Sequence, residues 1–106
     1  MKLSLICPWE GNVPMGWNSL IEGMLSKLSN FDVEIFQIKE KFGELRVYYN
    51  TELDEAEDII NECVMLASTT CAKCSTTESV ITRDDRSWIC PYCDECDRAW
   101  KERYGR

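Results

Sequence analysis

A chain of 106 residues with 19 acidic and 12 basic side chains, a formal charge of −7 and 44% hydrophobic residues suits one folded domain and is too apolar for a disordered tail. The negative balance disfavours general electrostatic attachment to nucleic acid, which needs clustered Lys and Arg. No run of 18 apolar residues is present, which excludes a membrane-spanning helix, and the apolar part of residues 1–8 is too short for a signal peptide.

Trp17, Leu20, Ile21, Met24, Leu25 and Leu28 fall at i, i+3, i+4, i+7, i+8 and i+11, one face of a helix. Pro14 and Gly16 mark the irregular stretch before it, and Asn18 or Ser19 offers a cap. A domain of this size needs such a stripe for its core before it can spare it for a partner.

Residues 33–38 and 44–49 read as strands. In the second, Leu45, Val47 and Tyr49 share one face and Arg46 and Tyr48 the other. The intervening Lys39-Glu40-Lys41-Phe42-Gly43 is charged and ends in a glycine suited to a turn, so an antiparallel hairpin is expected. Lys39, Lys41, Phe42, Arg46 and Tyr48 are its candidate partner-contact residues; core or turn duty is the alternative for Phe42 and Tyr48.

Thr51 followed by Asp54 has the form of a capping box opening a second helix. Glu52, Asp54, Glu55, Glu57 and Asp58 crowd its first turns, where the helix dipole favours negative charge. Leu53, Ala56, Ile59, Ile60, Cys63, Val64 and Ala67 form its apolar face, on which Cys63 reads as a buried, inert thiol. The acidic side is either a solvated face or a docking patch for a basic partner.

Beyond Cys71 the segments shorten. Ser79-Val80-Ile81-Thr82 and Ser87-Trp88-Ile89 suit two short strands joined by Arg83-Asp84-Asp85-Arg86. Residues 94–104 suit a helix with Cys96, Trp100 and Tyr104 at i, i+4 and i+8. Arg98, Lys101, Arg103 and Arg106 lie near its end, where cations complement the dipole.

Seven cysteines, an odd number, in a chain expected to remain in the reducing cytoplasm point to metal ligation sooner than to disulfides. Cys71-Ala72-Lys73-Cys74 and Cys90-Pro91-Tyr92-Cys93, separated by fifteen residues, form a Cys-x2-Cys … Cys-x2-Cys pattern. Each short turn can set two thiolates on one side of an ion with backbone N–H groups aimed at the sulfurs, so Cys71, Cys74, Cys90 and Cys93 are the expected ligands of one structural Zn2+. Cys96 is an alternative to Cys93 as the fourth ligand, and Cys7 is left out. Cys90-Pro91-Tyr92-Cys93 is also a dithiol redox motif, but a thioredoxin-like fold needs further strands and a later proline, and the 13 residues after Cys93 contain none. With four protein thiolates no metal position stays open for water or substrate. The chain has no histidine, which removes the commonest general base. The expectation is therefore a non-enzymatic protein. Its fold class is α+β in one domain, 1–106: helix, β-hairpin and helix over 1–70, then a zinc-ribbon annex over 71–106 closed by a short C-terminal helix.

Three pieces carry a resemblance. They are Gly16-Trp17 with the leucine-rich helix, Gln37-Ile38-Lys39-Glu40-Lys41-Phe42-Gly43-Glu44-Leu45-Arg46-Val47-Tyr48-Tyr49, and the paired Cys-x2-Cys with Trp88 before the second pair. Together they resemble a group of small phage- and prophage-type proteins, over residues 15–96, with 37–49 the most specific part. Ser75 departs from that pattern, which has glycine after the first cysteine pair. The resemblance implies a phage-type accessory protein and supplies no catalytic residue. Together with the closed metal site, the lack of catalytic groups and the acidic surface, it leads to the expectation of a protein that binds a host protein in the host cell cytoplasm. Two alternatives stay open. One is a nucleic-acid-binding zinc ribbon using Lys73, Arg83, Arg86 and the C-terminal cations. The other is an acidic mimic of nucleic acid built on the carboxylates of residues 52–62.

Overall fold

The computed structural model describes residues 3–5, 9, 11–84 and 89–104. Its architecture is mixed α+β, with a hairpin at the centre. Strand β2 (Val33–Lys41) and strand β3 (Glu44–Thr51) pair antiparallel, and a short β1 (Ser4–Leu5) joins β2 in parallel, Ser4 opposite Glu34. The chain passes from β1 to β2 through a 3-10 turn (Met15–Trp17) and helix α1 (Asn18–Leu28); helix α2 (Asp54–Ala67) follows β3. A two-residue strand has no hydrophobic period, so β1 left no trace in the pattern.

The expected stripes meet in one core. Trp17, Ile21, Met24 and Leu28 of the first stripe, Ala56, Ile60, Cys63 and Ala67 of the second, and Val33, Ile35, Ile38 and Leu45 of the hairpin are all buried. Each large side chain removed from water here contributes about 1.5–3 kcal/mol. Val33, Ile35 and Ile38 do not share a period of two. Ile35 opposes Tyr49 while Gln37 opposes Tyr48, which makes Phe36 the extra residue of a β-bulge. The bulge returns Ile38 to the core face, opposite Val47, and leaves Phe36 exposed.

The hairpin turns at Phe42 and Gly43, both at positive φ (56° and 80°), the backbone of the tight turn that best matches strand twist. Gly43 N–H donates to the Glu40 carboxylate at 2.8 Å, which helps hold Phe42 in a conformation that side-chain-bearing residues rarely adopt.

Thr51 ends β3 instead of capping α2. Its hydroxyl donates to the Asp32 carbonyl at 2.9 Å and accepts from Leu53 N–H at 3.2 Å, and α2 has no side-chain cap. The expected cap is thus corrected: the hydroxyl is used to tie the strand end to the α1–β2 connection. The acidic residues Asp54, Glu55 and Glu57 do occupy the first turn of α2.

The C-terminal part pairs β4 (Val80–Arg83) with β5 (Cys90–Cys93) antiparallel, and helix α3 (Asp94–Tyr104) follows without a break. The second strand therefore comes later than the expected 87–89; Ser87 and Trp88 lie outside the described residues, as do Cys7, Arg86 and Arg106. Arg83 locks this unit. Its guanidinium donates to the Tyr92 carbonyl and meets Asp94 at 2.9 Å and the buried Asp97 at 3.6 Å, while Lys101 reaches Asp97 at 3.2 Å. Among the described residues no helix is long and apolar enough to cross a membrane.

Candidate metal centre

The Sγ atoms of Cys71, Cys74, Cys93 and Cys96 lie within 4.8 Å of one another. The first pair comes from the loop after α2. There Cys71 N–H donates to the Thr76 carbonyl at 2.8 Å and Ser75 N–H to the Cys71 carbonyl at 3.2 Å, so the chain folds back and both thiols face one point. Lys73 N–H is aimed at Cys71 Sγ, at 3.4 Å.

The second pair is Cys93 and Cys96, with Cys90 outside the group. This corrects the expected ligand set Cys71, Cys74, Cys90 and Cys93, and strand geometry supplies the reason. Side chains alternate along β5, so residues 90 and 93, an odd number apart, leave on opposite faces. Cys90 is buried in the β4–β5 ladder opposite Arg83. Cys93 is the last residue before α3, and one helical turn lifts Cys96 to its side. Cys96 N–H donates to Cys93 Sγ at 3.4 Å, as a third-position amide donates to a capping side chain. The positive end of the helix dipole also favours thiolate there. Cys90-Pro91-Tyr92-Cys93 is accordingly extended strand, with its two sulfurs directed apart.

Four thiols fit a metal ion in both distance and chemistry. Cys74 Sγ and Cys93 Sγ are 3.7 Å apart, close to the edge of ~3.8 Å that follows from a tetrahedron with metal–sulfur bonds of about 2.3 Å. Burial pushes the Cys71 thiol up, yet the N–H groups of Cys74, Cys93 and Lys73 outweigh it and bring the thiol down from 9.0 to about 7. Cys96 moves the other way, raised by burial and then by the neighbouring sulfurs of Cys93, Cys74 and Cys71. Without a cation four clustered thiols cannot all ionise; a dication removes that conflict. None of the six described cysteines forms a disulfide.

The site is fastened to the α/β part through Gly16 and Trp17. Gly16 N–H donates to the Ala72 carbonyl at 2.8 Å, Trp17 Nε1–H to the Thr70 carbonyl at 3.1 Å, and Ser75 Oγ to the Gly16 carbonyl at 2.7 Å. Ala72 N–H in turn donates to the Pro91 carbonyl at 2.8 Å, which joins the first cysteine loop to β5 through backbone. A Cβ on Gly16 would overlap the Cys71 carbonyl and stand 2.6 Å from the Ala72 oxygen, so only glycine permits the approach. The close approach gives the sequence pair Gly16-Trp17 its physical meaning. At the other end, Gly43 of the hairpin turn packs on Ile89 just before β5.

The hairpin residues expected to contact a partner lie together on the sheet face away from the helices. Lys39 and Arg46 are cross-strand neighbours, Lys39 Nζ stands 5.6 Å over the Tyr48 ring, and Lys41 Nζ 5.7 Å over Phe42. Phe42 is 66% exposed, Tyr48 44% and Phe36 41%. Phe36 was absent from the expected group because strict alternation hides the bulge. Of the cations expected to face phosphates, Arg83 is committed to Asp94, Asp97 and the Tyr92 carbonyl, and Lys73 is exposed beside the metal site.

Comparison with protein-family models, with curated proteins and with solved structures finds no match to this chain.

Proposed function

We propose that this chain is a non-enzymatic, zinc-stapled accessory protein of phage or prophage type that binds a host protein in the host cytoplasm through the outer face of its hairpin. Zinc is the natural occupant of a reduced four-thiolate tetrahedron. Because all four positions are filled by protein, the ion stabilises without reacting.

The observation that carries the binding role is the exposed aromatic group Phe36, Phe42 and Tyr48 set among Lys39, Lys41 and Arg46. Aromatic side chains and Arg dominate the energetics of protein interfaces. Phe42 in particular is held at positive φ while largely exposed, a strained placement at a turn that glycine would occupy more easily. Arg46 is paired with Glu44 at 2.7 Å, so the partner this face suits is partly apolar, with negative charge to meet Lys39 and Lys41.

The test is affinity purification from host lysate with the wild-type chain and with the double variant Phe42→Ser/Tyr48→Ser, both checked for one equivalent of metal. A stoichiometric host protein recovered by the wild type and lost by the variant is expected. Recovery of no such protein, or equal recovery by both chains, overturns the proposal.

A further inference from the structure

Helix α3 presents Cys96, Ala99, Trp100, Arg103 and Tyr104 at i, i+3, i+4, i+7 and i+8, a single face. Across from it stand Lys73, between the first two cysteines, and Tyr92 of β5, and these seven residues line a pocket of about 140 Å³. Trp100 and Tyr104 have ring centroids 6.0 Å apart at a 47° tilt, and the Arg103 guanidinium lies 5.6 Å over the Tyr104 ring.

The composition of this wall runs against that of the chain. Acidic side chains outnumber basic ones 19 to 12, yet no carboxylate lines this pocket and two cations do. Pockets elsewhere on the molecule carry Glu62, or Glu78 with Asp94 and Glu95, or Asp32 with Glu34 and Glu52. The helix geometry explains the difference, since Asp94 and Asp97 are turned toward Arg83 on another side of α3.

Three aromatic rings and two cations select for a flat ring with negative charge beside it. The volume is close to that of a cavity of about 150 Å³ that accepts benzene in another protein, so it takes one ring system and no more. Lys73 and Arg103 come from different walls, the cysteine loop and the helix. That arrangement suits a group carrying phosphate on both sides of its ring, as a base within a strand does, better than an aryl phosphate with one charge at its end. Duplex bases keep their faces stacked on each other and cannot enter.

We infer that this cleft binds one unpaired base of a single-stranded nucleic acid, stacked against Trp100 and Tyr104, with its flanking phosphates on Lys73 and Arg103. Stacking on an aromatic side chain contributes about 1–3 kcal/mol per base. Two phosphate contacts predict a shallow salt dependence, a log–log slope of about −1.4. The overall charge of −7 keeps such binding local and weak. The cleft and the hairpin face use different residues, so the two proposals stand or fall separately.

The experiment is fluorescence anisotropy with a labelled single-stranded oligonucleotide of about 12 nucleotides, using the full metal-loaded chain at low salt. Arg103→Glu and Tyr104→Ala each weaken binding about tenfold, whereas Arg98→Glu, the same charge change on the same helix outside the pocket, does not. Retained metal and an unchanged circular dichroism spectrum certify the fold of each variant. No binding by the wild type overturns the inference, as does equal loss in Arg98→Glu and Arg103→Glu. So does a duplex, a mononucleotide or a phosphotyrosyl peptide that binds as tightly as the single strand.

Discussion

Gly16 and Cys71, 55 positions apart in the sequence, are in such close contact that a methyl group on the first would overlap the carbonyl of the second. The contact makes the metal loop and the start of α1 one mechanical piece. Gly16→Ala must push the loop away or break the hydrogen bond from Gly16 N–H to the Ala72 carbonyl. The expected cost is about 2–3 kcal/mol, read from urea denaturation, with faster metal loss to a chelator. A variant as stable as the wild type would mean that the loop yields freely.

Single Cys→Ser variants at positions 71, 74, 93 and 96 should each lower metal content and stability, because every one of the four sulfurs belongs to the quartet. Cys90→Ser should keep one equivalent of metal. Its cost is a buried packing change of about 1 kcal/mol in the β4–β5 ladder. Elemental analysis of freshly purified protein separates the two classes, and cobalt substitution gives a second readout through its thiolate absorption. Loss of metal in Cys90→Ser with retention in Cys96→Ser would reverse the assignment.

Ser75 lies at φ 73°, in the left-handed region, and its hydroxyl donates to the Gly16 carbonyl. Ser75→Ala keeps the unfavourable backbone and loses the hydrogen bond, and should cost about 1 kcal/mol. Ser75→Gly loses the same bond but relieves the backbone, and should come out near neutral. The ordering of the two midpoints in urea is the measurement.

Burial pushes the Cys63 thiol up from 9.0 to about 11; it lies between α1 and α2 with its Sγ near the Leu20 carbonyl at 3.7 Å. Folding thus favours the protonated form. The stabilisation is complete below pH 9 and is lost as pH rises from 9 to 11, up to about 2–3 kcal/mol. Cys63→Ala should flatten that part of the stability–pH curve. In the folded wild type, Cys63 should resist alkylation at pH 8.

Regular elements were legible wherever their side chains were periodic. The stripe from Trp17 to Leu28, the face from Ala56 to Ala67 and the alternation of Leu45, Val47 and Tyr49 all appear where apolar spacing placed them. Features that depend on backbone rather than on period were not. Cys90 and Cys93 repeat the spacing of Cys71 and Cys74, and symmetry of spacing favoured them. The decisive signal was the switch from strand to helix at Asp94-Glu95, which turns Cys93 and Cys96 to one side. Thr51 and Asp54 match a capping box in letters, but the Asp32 carbonyl, just before β2, competes for the hydroxyl. The role of Gly16 depends on a contact with residues 71 and 72, which no local pattern contains.

The bulge at Phe36 carries a consequence for how this strand can change length. Val33 and Ile35 reach the core on odd positions, and Ile38 reaches it on an even one, because one unpaired residue lies between. Removing Phe36 would restore a regular ladder in which Val33, Ile35 and Ile38 follow one alternation and keep their present partners on β3. Deletion of Phe36 should therefore leave a folded protein with a less twisted hairpin. Deletion of Glu34 should be strongly destabilising, because it turns Val33 away from the face that Ile35 and Ile38 share. Strand parity, more than the identity of any one side chain, is what descendants of this sequence have to preserve in that stretch.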